Sequence, residues 1–195
     1  MKPWLKSRLP SIVITVVIVA LVVGGIAYAV TRESGGSDAL TVNGESVSQA
    51  TVNNELRALA STNIVPSSTP GAVSADVGTQ WLTSRVAVVA LQKLFADNDV
   101  ALTPKQRAAV ITQLRKQYSG LPHSAENVVI DVSVANSLLG DKLNGTAGVS
   151  AALTKAMRKL DVSVDPKYGR WDRARGQVCP ITGCPKAGAS TSATG

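Results

Sequence analysis

Twenty consecutive residues, Ser11 to Val30, carry no charge, and Lys2, Lys6 and Arg8 precede them. At about 1.5 Å per residue a helix of that length spans about 30 Å, the hydrocarbon thickness of a bilayer. All thirteen acidic residues follow the run. The positive-inside rule therefore predicts residues 1–10 in the cytoplasm, a single-pass transmembrane helix over 11–30 in the cell membrane, and the remainder outside the cytoplasm. Ala27-Tyr28-Ala29 has the small-x-small pattern of a signal-peptidase site, which leaves cleavage open. A signal h-region usually has only about 7–15 apolar residues, so a retained anchor is the preferred reading. Either route exports the rest of the chain. The Ala20/Gly24 and Gly25/Ala29 pairs have the spacing at which two membrane helices approach closely, an opening for a homodimer.

The 165 residues after the run suffice for one domain with its own core. They carry 17 basic and 13 acidic residues, and the cations are scattered except for two clusters, Lys155 to Lys159 and Lys167 to Arg175. No basic face interleaved with aromatic residues is evident, so nucleic acid is not an expected partner. Only 4% of residues are aromatic. A core drawn from Ala, Val and Leu favours close helix packing over an aromatic-rich sandwich, and the predicted class is mainly α.

Residues 31–38, with Gly35-Gly36-Ser37, form an expected flexible linker. The fold is predicted over 39–172. Leu40-Thr41-Val42 and Glu45-Ser46-Val47 flank Asn43-Gly44, a hairpin signature. Ser48 is the predicted N-cap of a helix reaching about Ala60, and Ser61 to Ser74 a loop. A second helix is expected from Asp76 to Ala96, with Val77, Trp81, Val88, Leu91, Leu94 and Phe95 as its apolar residues. The third opens on Thr103 as N-cap and Pro104 as first helical residue, and Gly120 stops it. Ser124 is the expected cap of a fourth, to about Leu143, although Val128, Val129, Ile130, Val132 and Val134 also suit a strand. Asn144-Gly145 closes it, and Val149 to Leu160 forms a fifth. Asp161 to Asp165 alternates as a strand without a sequential partner. It is predicted to pair with Leu40 to Val42, closing the helical lobe with a small sheet formed by the N- and C-terminal strands. Residues 173–195 are expected to be a basic, then small-residue tail, with Ala187 to Gly195 too poor in apolar bulk to fold.

The block Leu40-Thr41-Val42-Asn43-Gly44-Glu45-Ser46-Val47-Ser48, leading to Glu55-Leu56, resembles the opening of the SurA/PrsA-type amino-terminal chaperone domain, related in fold to the peptide-binding part of trigger factor. The block from Val162 to Asp172, with Lys167-Tyr168-Gly169-Arg170-Trp171-Asp172, looks like the ending of exported SurA-like proteins of actinobacteria. The two blocks bracket about 130 residues. The resemblance implies a helical lobe with an apolar groove that holds unfolded segments of exported proteins. SurA and PrsA also carry parvulin prolyl-isomerase modules, and this chain has no room for one.

His123, the one histidine, sits in a predicted turn with no histidine partner, and reads as a surface residue. No nucleophile elbow and no H-E-x-x-H is present, so no enzymatic chemistry is expected. No cofactor and no metal are expected either. Cys179 and Cys184 enclose Pro180 and Gly183, and outside the cytoplasm such a pair is predicted to form a disulfide. Two ligands are too few for a closed zinc site. Leu56, Leu59, Trp81, Leu91 and Leu114 are the expected peptide-binding residues. The rival reading is an envelope structural or assembly subunit that binds one dedicated partner.

Overall fold

The computed structural model describes residues 27–28, 37–62 and 73–184. Its seven strands are β1 (Ala27–Tyr28), β2 (Asp38–Val42), β3 (Glu45–Ser48), β4 (Val73–Ser74), β5 (Val162–Val164), β6 (Arg170–Asp172) and β7 (Gln177–Cys179). Five helices, α1 (Gln49–Ser61), α2 (Ala75–Asp97), α3 (Pro104–Gln117), α4 (His123–Leu139) and α5 (Gly145–Met157), make the protein mainly helical.

The terminal strands meet as expected. β5 pairs antiparallel with β2 in the register Leu40↔Val164, Thr41↔Ser163, Val42↔Val162. The sheet has three strands, ordered β3-β2-β5, because the hairpin strand β3 takes the other edge of β2. Asn43 and Gly44 both have positive φ, 51° and 87°, as a two-residue turn matched to strand twist requires. Asn43 also ties the sheet together from that turn: its N–H donates to Asp161 O at 2.8 Å, and its Oδ1 accepts from Asp161 N at 3.0 Å.

Local capping chemistry sets most helix starts. Ser48 and Thr103 accept from Thr51 N and Gln106 N, and the Thr103/Gln106 pair forms a reciprocal capping box. Ser74 caps α2 through Val77 N, so the helix opens at Ala75, one residue before the expected start. Ser124 does not cap α4. Pro122 occupies the N-cap position, and its carbonyl accepts from Ala125 N and Glu126 N, both at 2.9 Å. Proline already holds φ at −66°, so the turn forms two residues earlier than a serine cap would place it. The fourth helix ends at Leu139, and left-handed Asn144 opens α5 instead of closing α4.

The 23-residue α2 runs through the middle of the body, against α4, α5, β7 and α1. That position buries Leu82, Val86, Ala87 and Ala90 as well as Trp81 and Leu91. Its burial is thus not confined to one stripe. Alanines let neighbouring helices approach, and Leu, Val and Ile fill the remaining space at core density.

Two expectations are corrected past the sheet and before it. The chain continues to fold beyond Asp172: β6 and β7 form a hairpin in the register Arg170↔Cys179, Trp171↔Val178, Asp172↔Gln177. Val178 N donates to Thr83 Oγ1 of α2 at 2.9 Å, and Val178 and Cys179 are buried. Ala187 to Gly195 lies outside the described residues. At the other end, Ala27 and Tyr28 pair with Ser74 and Val73, so the helix expected over 11–30 does not extend through them. Their backbone groups are bonded to β4. Residues 11–26, the linker residues 31–36 and most of the expected 61–74 loop lie outside the described residues. Among the described residues no helix is long and apolar enough to cross a membrane.

Candidate functional site

α1 and α2 are locked together by a buried carboxylate. Glu55 is fully buried; its Oε2 accepts from Trp81 Nε1 at 2.9 Å and from Arg85 Nε at 2.8 Å, and its Oε1 pairs with Arg85 Nη2. A buried carboxylate is tolerated only with this degree of pairing. The clamp joins the two helices at the walls of a depression lined by Leu56 of α1 and Gly78 and Thr79 of α2.

The remaining walls come from the closing segment. Tyr168 Oη donates to Asn53 Oδ1 at 2.8 Å, holding the Lys167-Tyr168-Gly169 strip against α1. Gly169 has φ +133°, and a Cβ there would lie 2.4 Å from Cys179 O. Only glycine permits that close crossing of the strip and β7. Cys179 and Cys184 are joined as a disulfide with Cα atoms 4.9 Å apart, as predicted. Asp172 Oδ2 lies 3.6 Å from Cys184 Sγ, and Gln177 Nε2 faces the two sulfurs at 3.8 and 3.6 Å. With the sulfurs bonded to each other, this group fixes the loop Pro180-Ile181-Thr182, which completes the rim. Ile181 is held 68% exposed at that rim.

The enclosed volume is about 200 Å³, below the roughly 300–1,000 Å³ of pockets that bury drug-sized ligands. Its lining is mostly apolar carbon with few polar groups, so shape and desolvation dominate what it can hold. It suits one or two apolar side chains. Val73 and Ser74 of β4 lie in the same lining, beside the backbone edge that pairs with Ala27–Tyr28.

Of the five expected peptide-binding residues, Leu56 alone borders this depression. Leu59, Trp81 and Leu114 belong to the main core at 1%, 6% and 1% exposure, and Leu91 anchors a second cluster with Ala135, Leu139 and Val149. Helical periodicity marks a face that is covered, and here neighbouring helices cover it. The rim residues Gly78 and Ile181 escaped the sequence reading as site residues because they meet only in three dimensions.

His123 starts α4 with 85% of its side chain exposed, its Nδ1 2.9 Å from Glu126 Oε2. Glu126 also receives two bonds from Arg115, at 2.6 and 2.9 Å. Those bonds hold the Glu126 carboxyl below the usual carboxylate range against an opposing push from burial, and they raise Arg115 in turn. This cluster joins α3 to α4, away from the depression.

No known protein family matches this chain, and neither a curated protein nor a solved structure matches it.

Proposed function

We propose that this protein is a membrane-anchored, extracytoplasmic, chaperone-like binding domain that holds apolar segments of unfolded exported proteins, without isomerase chemistry. The observation that carries the reading is the apolar depression beside β4, rimmed by the disulfide-held Ile181. A pocket for apolar side chains next to a strand edge is the combination by which extended segments are captured: main-chain bonds give affinity and the pocket gives selectivity.

The pairing of β1 with β4 bears on this reading in two ways. An extended segment of the chain itself, Ala27–Tyr28, lies paired along the β4 edge. The pairing also conflicts with a full span over 11–30. A helix confined to 11–26 is about 24 Å long, shorter than the hydrocarbon layer. Membrane insertion of the whole apolar run therefore withdraws Ala27–Tyr28 from β4 and frees that edge for a client. Contacts of this kind are non-directional, so many clients bind weakly.

The test is aggregation of an unfolded reporter protein with the full chain in lipid nanodiscs at a one-to-one ratio. Suppression, with many weak partners crosslinked in native membranes, is expected. Absence of suppression overturns the holding function, and one constant crosslinked partner favours an assembly subunit.

A further inference from the structure

The structure unites the two basic clusters. Gly176, in the β6–β7 turn, is so placed that a Cβ on it would lie 3.5 Å from Thr154 O and Met157 Cβ and 3.8 Å from Arg158 Cγ. Arg173 Nη2 donates to Leu160 O at 3.4 Å. The turn thus sits on the carboxyl end of α5, which brings the exposed Arg173 and Arg175 beside the exposed Lys155, Arg158 and Lys159, and Arg170 of β6 is exposed as well.

Residues 155–176 hold seven basic and three acidic residues, a surplus of four. The chain after Val30 has 17 basic and 13 acidic residues, the same surplus, so the rest of it is balanced and this patch carries all the excess charge. Among the described residues, Arg175 pairs with Asp172 at 3.8 Å, while no ion pair neutralises Lys155, Arg158, Lys159, Arg170 or Arg173. The acidic residues facing the patch are Asp161, exposed, and Asp172, already engaged; Asp165 is taken by Gln49 and the Lys167 backbone.

We infer that this surface docks on the phosphate headgroups of anionic phospholipids and orients the domain against the bilayer. The inference rests on the proposed membrane anchor. From Val30 to Ser37 is seven residues, about 25 Å at full extension, which keeps the domain within reach of the headgroups at high effective concentration. A cluster of unpaired cations close to a bilayer is what anionic headgroups recognise, and each cation adds to the attraction. Lys167, three residues before Arg170, lines the depression, so docking there sets the depression near the membrane.

The test is hydrogen exchange on the full chain in nanodiscs of phosphatidylcholine alone and with 30% phosphatidylglycerol. Exchange in 153–160 and 170–177 is expected to slow at least fivefold in the anionic discs only, and the difference to vanish near 1 M NaCl, where screening shortens to about 3 Å. The exposed-surface variant Lys155→Gln/Arg158→Gln/Lys159→Gln/Arg170→Gln should lose the difference, whereas Lys155→Arg/Lys159→Arg should keep it. Equal exchange in both discs, from protein that has entered them, overturns the docking and leaves the anchor standing. Failure to enter either disc overturns the anchor and the docking with it. The same slowing produced by tripolyphosphate over neutral discs assigns the patch to soluble phosphate and overturns the membrane reading.

Discussion

Two helix pairs in this molecule are each joined by a carboxylate and an arginine, at opposite extremes of burial. Between α1 and α2, Glu55 is 0% exposed and Arg85 13%; between α3 and α4, Glu126 is 7% exposed but Arg115 is 51%. The first pair has no water to fall back on, and it holds the walls of the depression. The second leaves its guanidinium half in solvent and joins a helix whose one fully covered side chain is Leu114. Similar pairings therefore do different work: one frames the site rigidly, the other attaches a peripheral helix.

The contrast breaks most visibly at Glu55. Glu55→Ala leaves Arg85 and the Trp81 indole N–H buried without their acceptor, and the expected loss is about 3–5 kcal/mol, measured by urea unfolding. Replacing both charges together, as Glu55→Leu/Arg85→Met, is expected to recover much of that loss, because the cost lies mainly in the orphaned group. A double mutant no better than Glu55→Ala would show that the pair itself, not the desolvated remainder, holds the helices together.

A smaller effect, pH-dependent in a defined direction, is expected at Glu126. Its carboxyl is held low in the folded state, so the bond to Arg115 contributes fully above the unfolded value of about 4.3 and is lost as pH falls through the lowered folded value. Glu126→Gln should lower Tm at pH 7 by less than Glu55→Ala does, and the difference from the parent should close below pH 4. A gap that persists unchanged at pH 3 would contradict the assignment.

The same contrast explains what could be read from the residues. Caps such as Ser48 and Thr103-Pro104 were legible because their chemistry is complete within four residues. The β2–β5 pairing was legible because a strand edge needs a partner and only one candidate existed. Ser124 misled because Pro122 supplies the N-cap carbonyl and φ two residues earlier. The β6–β7 hairpin was missed, since what holds it is Thr83, 95 residues away in sequence. Leu59, Trp81, Leu91 and Leu114 were read as groove because periodicity reports apolar faces without reporting what lies on them. The depression itself depends on a glycine crossing, a tyrosine bond to α1 and a disulfide loop, and of these the Gly169 turn and the Cys179–Cys184 bond left a local trace.

The central claim is that apolar segments are held in the depression. Gly78 lines it, and a Cβ there meets nothing within 4 Å, so Gly78→Leu starts a side chain into the space. Helix propensity favours the replacement by up to about 1 kcal/mol, so folding should not suffer. The decisive measurement is fluorescence anisotropy of a labelled, unfolded apolar peptide against the full chain in nanodiscs. At least tenfold weaker binding by Gly78→Leu, at undiminished Tm, is the expected result, and equal affinity for parent and variant would contradict the account.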